Sequence, residues 1–475
     1  MRYGRTSMVD FLSRLIVSFS GFVATIVLTR TLGQARYGTY VVIISVLAWA
    51  MIASNLGLDQ AIKKRVSEAT DGNYVIAGAI VQIGLYVIVA GCLWLASPYL
   101  NAYMGFDATL ILIGLLAVRL VGNFVRTVLN GQHLVHVSSL LSPIELTSRS
   151  IVQIPLVIAG FGVTGAVAGY AIGAVVAALI GSYFISFDPS LPSRQDFTRL
   201  KSYAQFSWLA SVKGRTFLSM DTLVLALFVS NSLIAVYEIA WNLASLFAIF
   251  GSSISRTLFP EISKLSSEEG VSGEVVGLLR VALTYAGLFI IPGLVGGTLV
   301  GDTVLQIYGP GFDTGYYILL MLTFARLLYG YQSQFLTTLD AIDRPDLTFR
   351  INAVFVAANL VLNLAFTWQF GWYGAAVATT LSAALGLTLG YYYASTVITV
   401  DIPFDEIGKQ AVAAGIMAVV VYSLRTFVAD SLPLVLVFVG IGAATYFSTL
   451  FVISLEFRTT VADNLPFRIP TLIWS

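Results

Sequence analysis

The sequence predicts an all-α polytopic membrane protein, and three observations support this fold class. Of the 475 residues, 57% are hydrophobic and only 11% are charged. The mean hydropathy is +0.85, and long apolar runs recur along the chain. A soluble protein has about 25% charged residues, so this chain has too few charges to cover a surface exposed to water. Intrinsic disorder is excluded because it requires low hydrophobicity.

A transmembrane helix needs about 20 predominantly apolar residues. A hydropathy window of about 19 residues therefore predicts about 14 transmembrane helices. Pro, Gly or charged residues separate the spans, and the break between the fifth and sixth spans falls at 160–162. Pro143, Pro155 and Pro292 lie inside spans, where we expect kinks. The predicted spans are 8–30, 37–58, 74–97, 106–130, 138–160, 163–187, 203–229, 232–258, 275–300, 314–338, 348–369, 371–396, 406–427 and 432–455.

The basic residues outside the spans indicate the orientation of the chain. With a cytoplasmic N-terminus, only Arg30, Arg36 and Arg425 fall in outside segments, and the other loop Lys and Arg residues fall inside. This asymmetry is the one that the positive-inside rule describes. Since the span count is even, both termini are expected in the cytoplasm of a multi-pass protein of the plasma (inner or cell) membrane.

The sequence contains an internal repeat. The segment 161–166 (FGVTGA) is echoed by 370–375 (FGWYGA), and 32–40 matches 229–237 more weakly. The two offsets differ by no more than a loop insertion, so they predict parallel repeats of six helices with a site between them near mid-membrane. The predicted division is an N-lobe at 1–187, a cytoplasmic linker at 188–202, a C-lobe at 203–396, and helices 13 and 14 with a cytoplasmic tail at 397–475.

Charged and amide side chains inside the spans are the candidate functional groups, because such residues are costly in lipid and usually face protein or water. The basic ones outnumber the acidic ones, which favours an anionic substrate, and the arginine fork suits phosphate or carboxylate. An isolated acid could carry protons or sodium for coupling. The candidates for the substrate cavity are Arg119, Arg149, Arg215, Arg326, Arg14, Lys213, Asn123 and Gln334, and those for ion coupling are Asp221, Glu145 and Glu238.

Structural explanations of these charges stay open at this point. Arg14, Arg126 and Lys213 lie near span ends, where long basic side chains reach the head groups. Glu145 and Arg149 are four residues apart on one span, so they can form a purely structural pair along the helix. Charge compensation by a neighbouring base is the alternative role for Glu145, and Asp221 is the best coupling candidate.

Several function classes lack their motifs. There is no P-loop, no H-E-x-x-H and no loop with paired aspartates of the kind that sugar-nucleotide transferases use, so we expect no enzyme. The single cysteine, Cys92, and the two histidines, His133 and His136, predict no metal site, and no cofactor is expected. The net charge of +1 gives no sign of a nucleic-acid partner.

Six motifs in order resemble the Wzx-type polysaccharide biosynthesis family. One example is 29–40 (TRTLGQARYGTY), which resembles the family's R-x-L-G-x-x-x-Y-G-x-Y opening. Another is 371–376 (GWYGAA), which is similar to its G-x-x-G-A-A hairpin. The motifs occur in the family's order and extend over residues 5 to 400. The remaining motifs are 55–65, 221–225 (DTLVL), 258–264 (LFPEISK) and 307–312 (IYGPGF).

The resemblance implies the fold of the multidrug/oligosaccharidyl-lipid/polysaccharide exporter superfamily, with two six-helix lobes in a V plus two extra helices. It implies a flippase that moves a polyprenyl- or dolichyl-linked (pyro)phosphate oligosaccharide to the outer leaflet by alternating access. Its partners would be this substrate, membrane lipid, and a polymerase or glycosyltransferase of the same pathway, and the transporter itself would be a monomer. Three alternatives remain: a sodium- or proton-driven multidrug extruder, a lipid II-type flippase, and a non-transporting scaffold.

Overall fold

The computed structural model describes residues 2–68, 72–186, 189–269, 273–427 and 432–464, and side chains are described for most of them. Within these ranges the regular structure is helical, with no strand. The segment Val157–Phe161 is a kinked break in which Gly160 has a φ of 91°, and a 3-10 turn spans Phe312–Gly315. The helices are α1 (Arg2–Asn55), α2 (Leu58–Ser67), α3 (Tyr74–Leu95), α4 (Ser97–Met104), α5 (Thr109–Gly131), α6 (Val135–Leu156), α7 (Gly162–Ser182), α8 (Arg194–Phe228), α9 (Asn231–Phe247), α10 (Ile249–Glu269), α11 (Gly273–Ala286), α12 (Ile290–Gln306), α13 (Tyr316–Ala341), α14 (Pro345–Ser395), α15 (Phe404–Phe427), α16 (Leu432–Ile453) and α17 (Leu455–Asn464).

The prediction of an all-helical membrane protein is confirmed. Eight helical stretches in the described residues are long and apolar enough to cross a membrane, or nine if α9 and α10 form one bent span. Every predicted span overlaps a helix or one arm of a kinked helix. The count of fourteen crossings itself stays a prediction, because several of the long stretches contain two arms.

The predicted break between the first span (8–30) and the second (37–58) contains Gly33, where the backbone is not helical (φ 71°, ψ 171°) and divides α1 into two arms. The structure corrects two other spans. Span eight is α9 and α10, which meet at an angle of 46°. Span nine is α11 and α12, and Pro292 lies in the first turn of α12, where a proline costs little because no backbone donor is needed there. Pro143 and Pro155 do lie inside α6.

The internal repeat extends to backbone conformation. Gly162 has φ 57° and ψ −138°, and Gly371, at the equivalent place in the repeat, has φ 58° and ψ −140°. Only glycine adopts this region readily. The turns before α6 and α14 also match, because His133 and Asp343 both have positive φ, 61° and 58°. The same short sequence pattern therefore produces the same sharp reversal twice.

The chain divides into two compact units, Met1–Val236 and Tyr237–Ser475. In the first unit, α2 packs through Leu58, Ala61 and Ile62 against α3, α5 and α8. In the second unit, α15 and α16 pack against α11 and α12 through a core that includes Met417 and Tyr446. The predicted helices 13 and 14 are therefore part of the second unit. The predicted lobe boundaries stay a prediction.

The close approach at the second hairpin gives a stability prediction. A Cβ on Gly374 would lie 1.9 Å from the carbonyl oxygen of Phe366, so Gly374→Ala requires the two arms of α14 to separate. We expect it to lower the free energy of unfolding by about 1–3 kcal/mol, the usual cost of overpacking. Thermal unfolding of the purified protein in detergent measures the change.

The control for this experiment is Gly415→Ala on α15, since a Cβ there meets nothing within 4 Å. That variant should unfold at or slightly above the wild-type temperature, because alanine favours a helix more than glycine does. Equal unfolding temperatures for the two variants would contradict the packing described for the hairpin.

Candidate functional site

A carboxylate in the first unit pairs with two arginines of the neighbouring helix. Arg119 and Arg126 lie seven residues apart on α5 and therefore on one face. The Glu145 carboxylate on α6 accepts hydrogen bonds from both guanidinium groups, one on each oxygen. All three side chains are at most one-quarter exposed. Arg126 also donates to the carbonyl oxygen of Leu141, at 3.3 Å.

One turn further along α6, Arg149 is held by neutral groups. Its Nη2 donates to the hydroxyl oxygen of Tyr40, at 2.7 Å, and its Nε donates to Oε1 of Gln153, at 3.2 Å. The guanidinium carbons of Arg149 and Arg119 lie 4.5 Å and 5.2 Å from the ring centroid of Tyr170. Contacts of this length are attractive cation–π contacts. The Tyr170 ring therefore links the two arginines.

Small residues on α7 allow this arrangement. A Cβ on Gly169 would lie 2.5 Å from the Cα of Gln153, and one on Gly173 would lie 2.6 Å from the carbonyl oxygen of Glu145. The backbones of α6 and α7 therefore touch, as small residues permit in membrane helices. Tyr170 lies between these glycines, so its ring reaches the arginines of α5 and α6.

We call this group the arginine cluster. It contains three guanidinium groups and one carboxylate, so its formal charge is positive at neutral pH. In addition, Nε of Arg119 is buried and has no hydrogen-bond partner among the described residues. An arginine has five donors and no acceptor, so the cluster can bind an anion with oxygen atoms. Its members are Arg119, Arg126, Glu145 and Arg149, with Tyr40, Gln153 and Tyr170 around them.

The pairing of Glu145 with Arg149 along the helix, one of the structural roles left open by the sequence, is not the arrangement seen in the described contacts. Glu145 pairs across the helix interface with α5, and Arg149 is bound by Tyr40 and Gln153. The reason is geometric, since α5 presents two guanidinium groups to the same carboxylate. Charge compensation, the alternative role for Glu145, describes the observed contacts.

In the second unit, Arg326 on α13 is buried, with 8% exposure. Its guanidinium carbon lies 3.8 Å from the centroid of the Trp241 ring, and its Nη2 donates to the hydroxyl of Ser245. Both partners are on α9. Glu238 on the same helix accepts a hydrogen bond from Asn242, at 3.4 Å.

Three other candidates have different surroundings. Gln334 is buried, and its amide makes hydrogen bonds with Ser255 and with two backbone carbonyls, so it joins α13 to α10. Nδ2 of Asn123 donates to Oδ2 of Asp59, at 2.7 Å. Asp221 is buried on α8. Arg14, Lys213 and Arg215 lie outside the residues whose side chains the structure describes.

Several residues of these sites were not predicted. Tyr40, Tyr170 and Trp241 contact the arginines, and a sequence signal existed only for Tyr40, which ends the 29–40 motif. Two buried amide side chains were also missed, Gln332 of α13 and Asn359 of α14. Neither amide atom of Gln332 has a hydrogen-bond partner among the described residues.

The described part of the chain contains no cluster of three His, Cys, Asp or Glu side chains that could hold a metal ion.

Two solved structures show which known fold this is. A lipid II flippase, MurJ, in an inward closed conformation superposes with a TM-score of 0.77 over 96% of this chain and 100% of its own, at 16% identity. A multidrug resistance MATE family transporter in an inward-facing conformation gives a TM-score of 0.62 over 80% and 94%, at 15% identity. The fold is therefore the one that these two transporters share.

Sequence comparison identifies the family within that fold. The "Probable flippase AglR" of Haloferax volcanii is 31% identical over 98% of both chains. A "Probable low-salt glycan biosynthesis flippase" of the same organism is 26% identical over 99% of this chain and 100% of its own. The family model described as "Polysaccharide biosynthesis protein" matches residues 4–266. The chain belongs to the polysaccharide biosynthesis protein family.

Proposed function

We propose that this protein is a flippase that moves a lipid-linked glycan, joined to its polyprenyl or dolichyl carrier through phosphate or pyrophosphate, from the cytoplasmic to the outer leaflet. The arginine cluster is the observation that carries the proposal. A fixed excess of positive charge inside a membrane-spanning unit attracts an anion and repels a cation. The full-length similarity to two proteins named as flippases supports the same function.

The cluster's chemistry suits a phosphate that must leave water on its way across the membrane. Charge-assisted hydrogen bonds from guanidinium groups are among the strongest that a protein offers a phosphate. Arg149 is the primary candidate for this contact, since only neutral partners hold it among the described residues. Arg119 and Arg126 share one carboxylate, and Arg326 supplies a further guanidinium in the second unit.

The three alternative functions fit the arginine cluster to different degrees. A multidrug extruder shares the fold, but a cationic drug would be repelled by three arginines. A lipid II-type flippase also carries phosphate, so the cluster suits it equally, and the glycan class here rests on the full-length relatives. A scaffold has no use for arginines inside the membrane.

For energy coupling, Glu145 is the weaker candidate because two arginines engage it, and Asp221, a buried acid on α8, is our first candidate. Glu238 is the second candidate. Transport by Asp221→Asn across a range of pH tests this role, and an unchanged pH dependence would remove it.

We further propose a monomeric, non-enzymatic transporter of the plasma membrane with both termini in the cytoplasm, supplied with substrate by glycosyltransferases of its pathway.

A deletion strain tests the function in cells. Without the protein, lipid-linked oligosaccharide should accumulate on the cytoplasmic leaflet and surface glycan should be lost, and the wild-type gene should restore both. Normal glycan and normal carrier lipid, together with altered drug tolerance, would contradict the proposal and favour the extruder.

A further inference from the structure

A polar pocket lies beside the arginine cluster in the first unit. Its volume is about 450 Å³, within the range of about 300–1,000 Å³ that small-molecule sites occupy. It lies between α2, the C-terminal half of α5 and the start of α6. Each of these three helices contributes side chains to its lining.

Helical periodicity builds the pocket from three faces. On α2, the apolar residues are buried against the core, and Asp59, Gln60 and Lys63 line the pocket. On α5 and on α6, the lining residues follow the same spacing of three, four and seven, so each set lies on one face. Those sets are Asn123, Arg126, Thr127 and Asn130 on α5, and Val135, Ser138, Ser139 and Ser142 on α6.

The lining suits a ligand that is both hydroxylated and anionic. All lining residues except Val135 are polar, and their amides and hydroxyls can both donate and accept hydrogen bonds. The charged residues that line the pocket are two bases, Lys63 and Arg126, and one acid, Asp59. Burial raises the pKa of Asp59 above the usual range of a carboxyl, although hydrogen bonds from Asn55, Asn123 and Thr127 oppose the shift.

The pocket is continuous with the arginine cluster, because Arg126 belongs to both. It lines the pocket and pairs with Glu145. Asn123 and Arg119 follow on the same face of α5, so one line of polar side chains runs from the pocket to the cluster. The pocket adjoins the basic end of α2, with Lys63, Lys64 and Arg65, which is the predicted cytoplasmic side.

We propose that this pocket receives the sugar-phosphate end of the lipid-linked glycan before its phosphate reaches the arginine cluster. The inference rests on the proposed function and assigns to it a reception site. Lys63 would contact the phosphate, and the amides and serines would contact sugar hydroxyls. The phosphate of a membrane phospholipid shares part of this chemistry, so the experiment must separate the two sources.

Binding to the purified full-length protein in detergent micelles tests the proposal. The probes are a polyprenyl-phosphate-linked hexose, the same polyprenyl phosphate without sugar, and phosphatidylglycerol. We expect Lys63→Ala to weaken binding of the hexose probe by about tenfold, as for one charge-assisted contact. Ser142→Trp, at an exposed position of the pocket, should block the same probe by filling the space.

Lys64→Ala is the matched control. Lys64 is the next residue on α2, lies 4.8 Å over the ring of Tyr203 and does not line the pocket, so its removal should leave binding unchanged. Equal effects of the two lysine variants, with normal binding by Ser142→Trp, would overturn the proposal. So would phosphatidylglycerol that binds as tightly as the hexose probe and displaces it.

A flipping assay on the same proteins, reconstituted into proteoliposomes, separates this inference from the proposed function. If the wild type flips the probe, and Lys63→Ala and Ser142→Trp bind and flip it normally, the pocket assignment alone is wrong. If the wild type does not flip the probe, the proposed function is wrong, and the binding data still decide whether the pocket holds a sugar phosphate.

Discussion

Replacing Glu145 with glutamine is expected to destabilise the first unit strongly. The substitution keeps the shape of the side chain but leaves Arg119 and Arg126 without their shared carboxylate. Removing one partner of a buried ion pair typically costs about 3–5 kcal/mol, and the partial exposure of these side chains places the expected loss toward the lower end. Thermal unfolding and yield of folded protein in detergent measure the effect.

The control is Glu261→Gln on α10, because Glu261 is exposed and has no ion pair among the described contacts. That change should leave unfolding unaltered. Adding Arg126→Gln to Glu145→Gln removes one of the two stranded cations, so the double variant should recover part of the loss. An unfolding temperature of Glu145→Gln equal to that of the wild type would show that the carboxylate does not hold the cluster.

Replacing Arg149 with alanine is expected to reduce flipping by about 10- to 100-fold, the effect of losing a hydrogen bond to a charged group worth about 1.5–3 kcal/mol. The protein should still fold, because the partners lost, Tyr40 and Gln153, are neutral. Gln153 keeps its bonds to Ala166 and to the Tyr40 hydroxyl. The measurement is the initial rate of transport in proteoliposomes at matched protein content.

Two further variants separate charge from geometry at this position. Arg149→Lys keeps the charge but loses the planar fork, so its rate should lie between those of the wild type and Arg149→Ala. Arg350→Ala, at an exposed position of α14, should transport normally. Wild-type transport by Arg149→Ala would remove Arg149 from the proposed site.

Local sequence chemistry predicted most of the fold. The hairpin at 160–162 and its repeat at 371 followed from glycines that adopt backbone conformations closed to other residues. The break at Gly33 also falls between two predicted spans, whereas the bend at the junction of α9 and α10 falls inside one predicted span. Apolar periodicity continues through such bends, and only the three-dimensional packing decides whether a turn opens into a loop.

The sequence predicted which faces of single helices carry the site residues, but not the contacts between helices. Spacing along α5 and α6 placed Arg119, Asn123 and Arg149 on particular faces, and the structure brings Arg119 and Arg149 together around one tyrosine. Residue spacing within one helix could not predict the partners of Glu145, because they depend on which face of α5 packs against α6. The polar pocket requires three helices to converge, so no single stretch of sequence shows it.

The most direct test of the account compares two lipids that carry the same sugar in proteoliposomes containing the purified wild-type protein. One is a polyprenyl-phosphate-linked glycan, and the other is a neutral glycolipid. If the arginine cluster selects an anion, the phosphate-bearing lipid crosses between leaflets, the neutral one does not, and Arg149→Ala slows the first. Equal rates for the two lipids, or transport of a cationic drug with neither lipid moved, would contradict it.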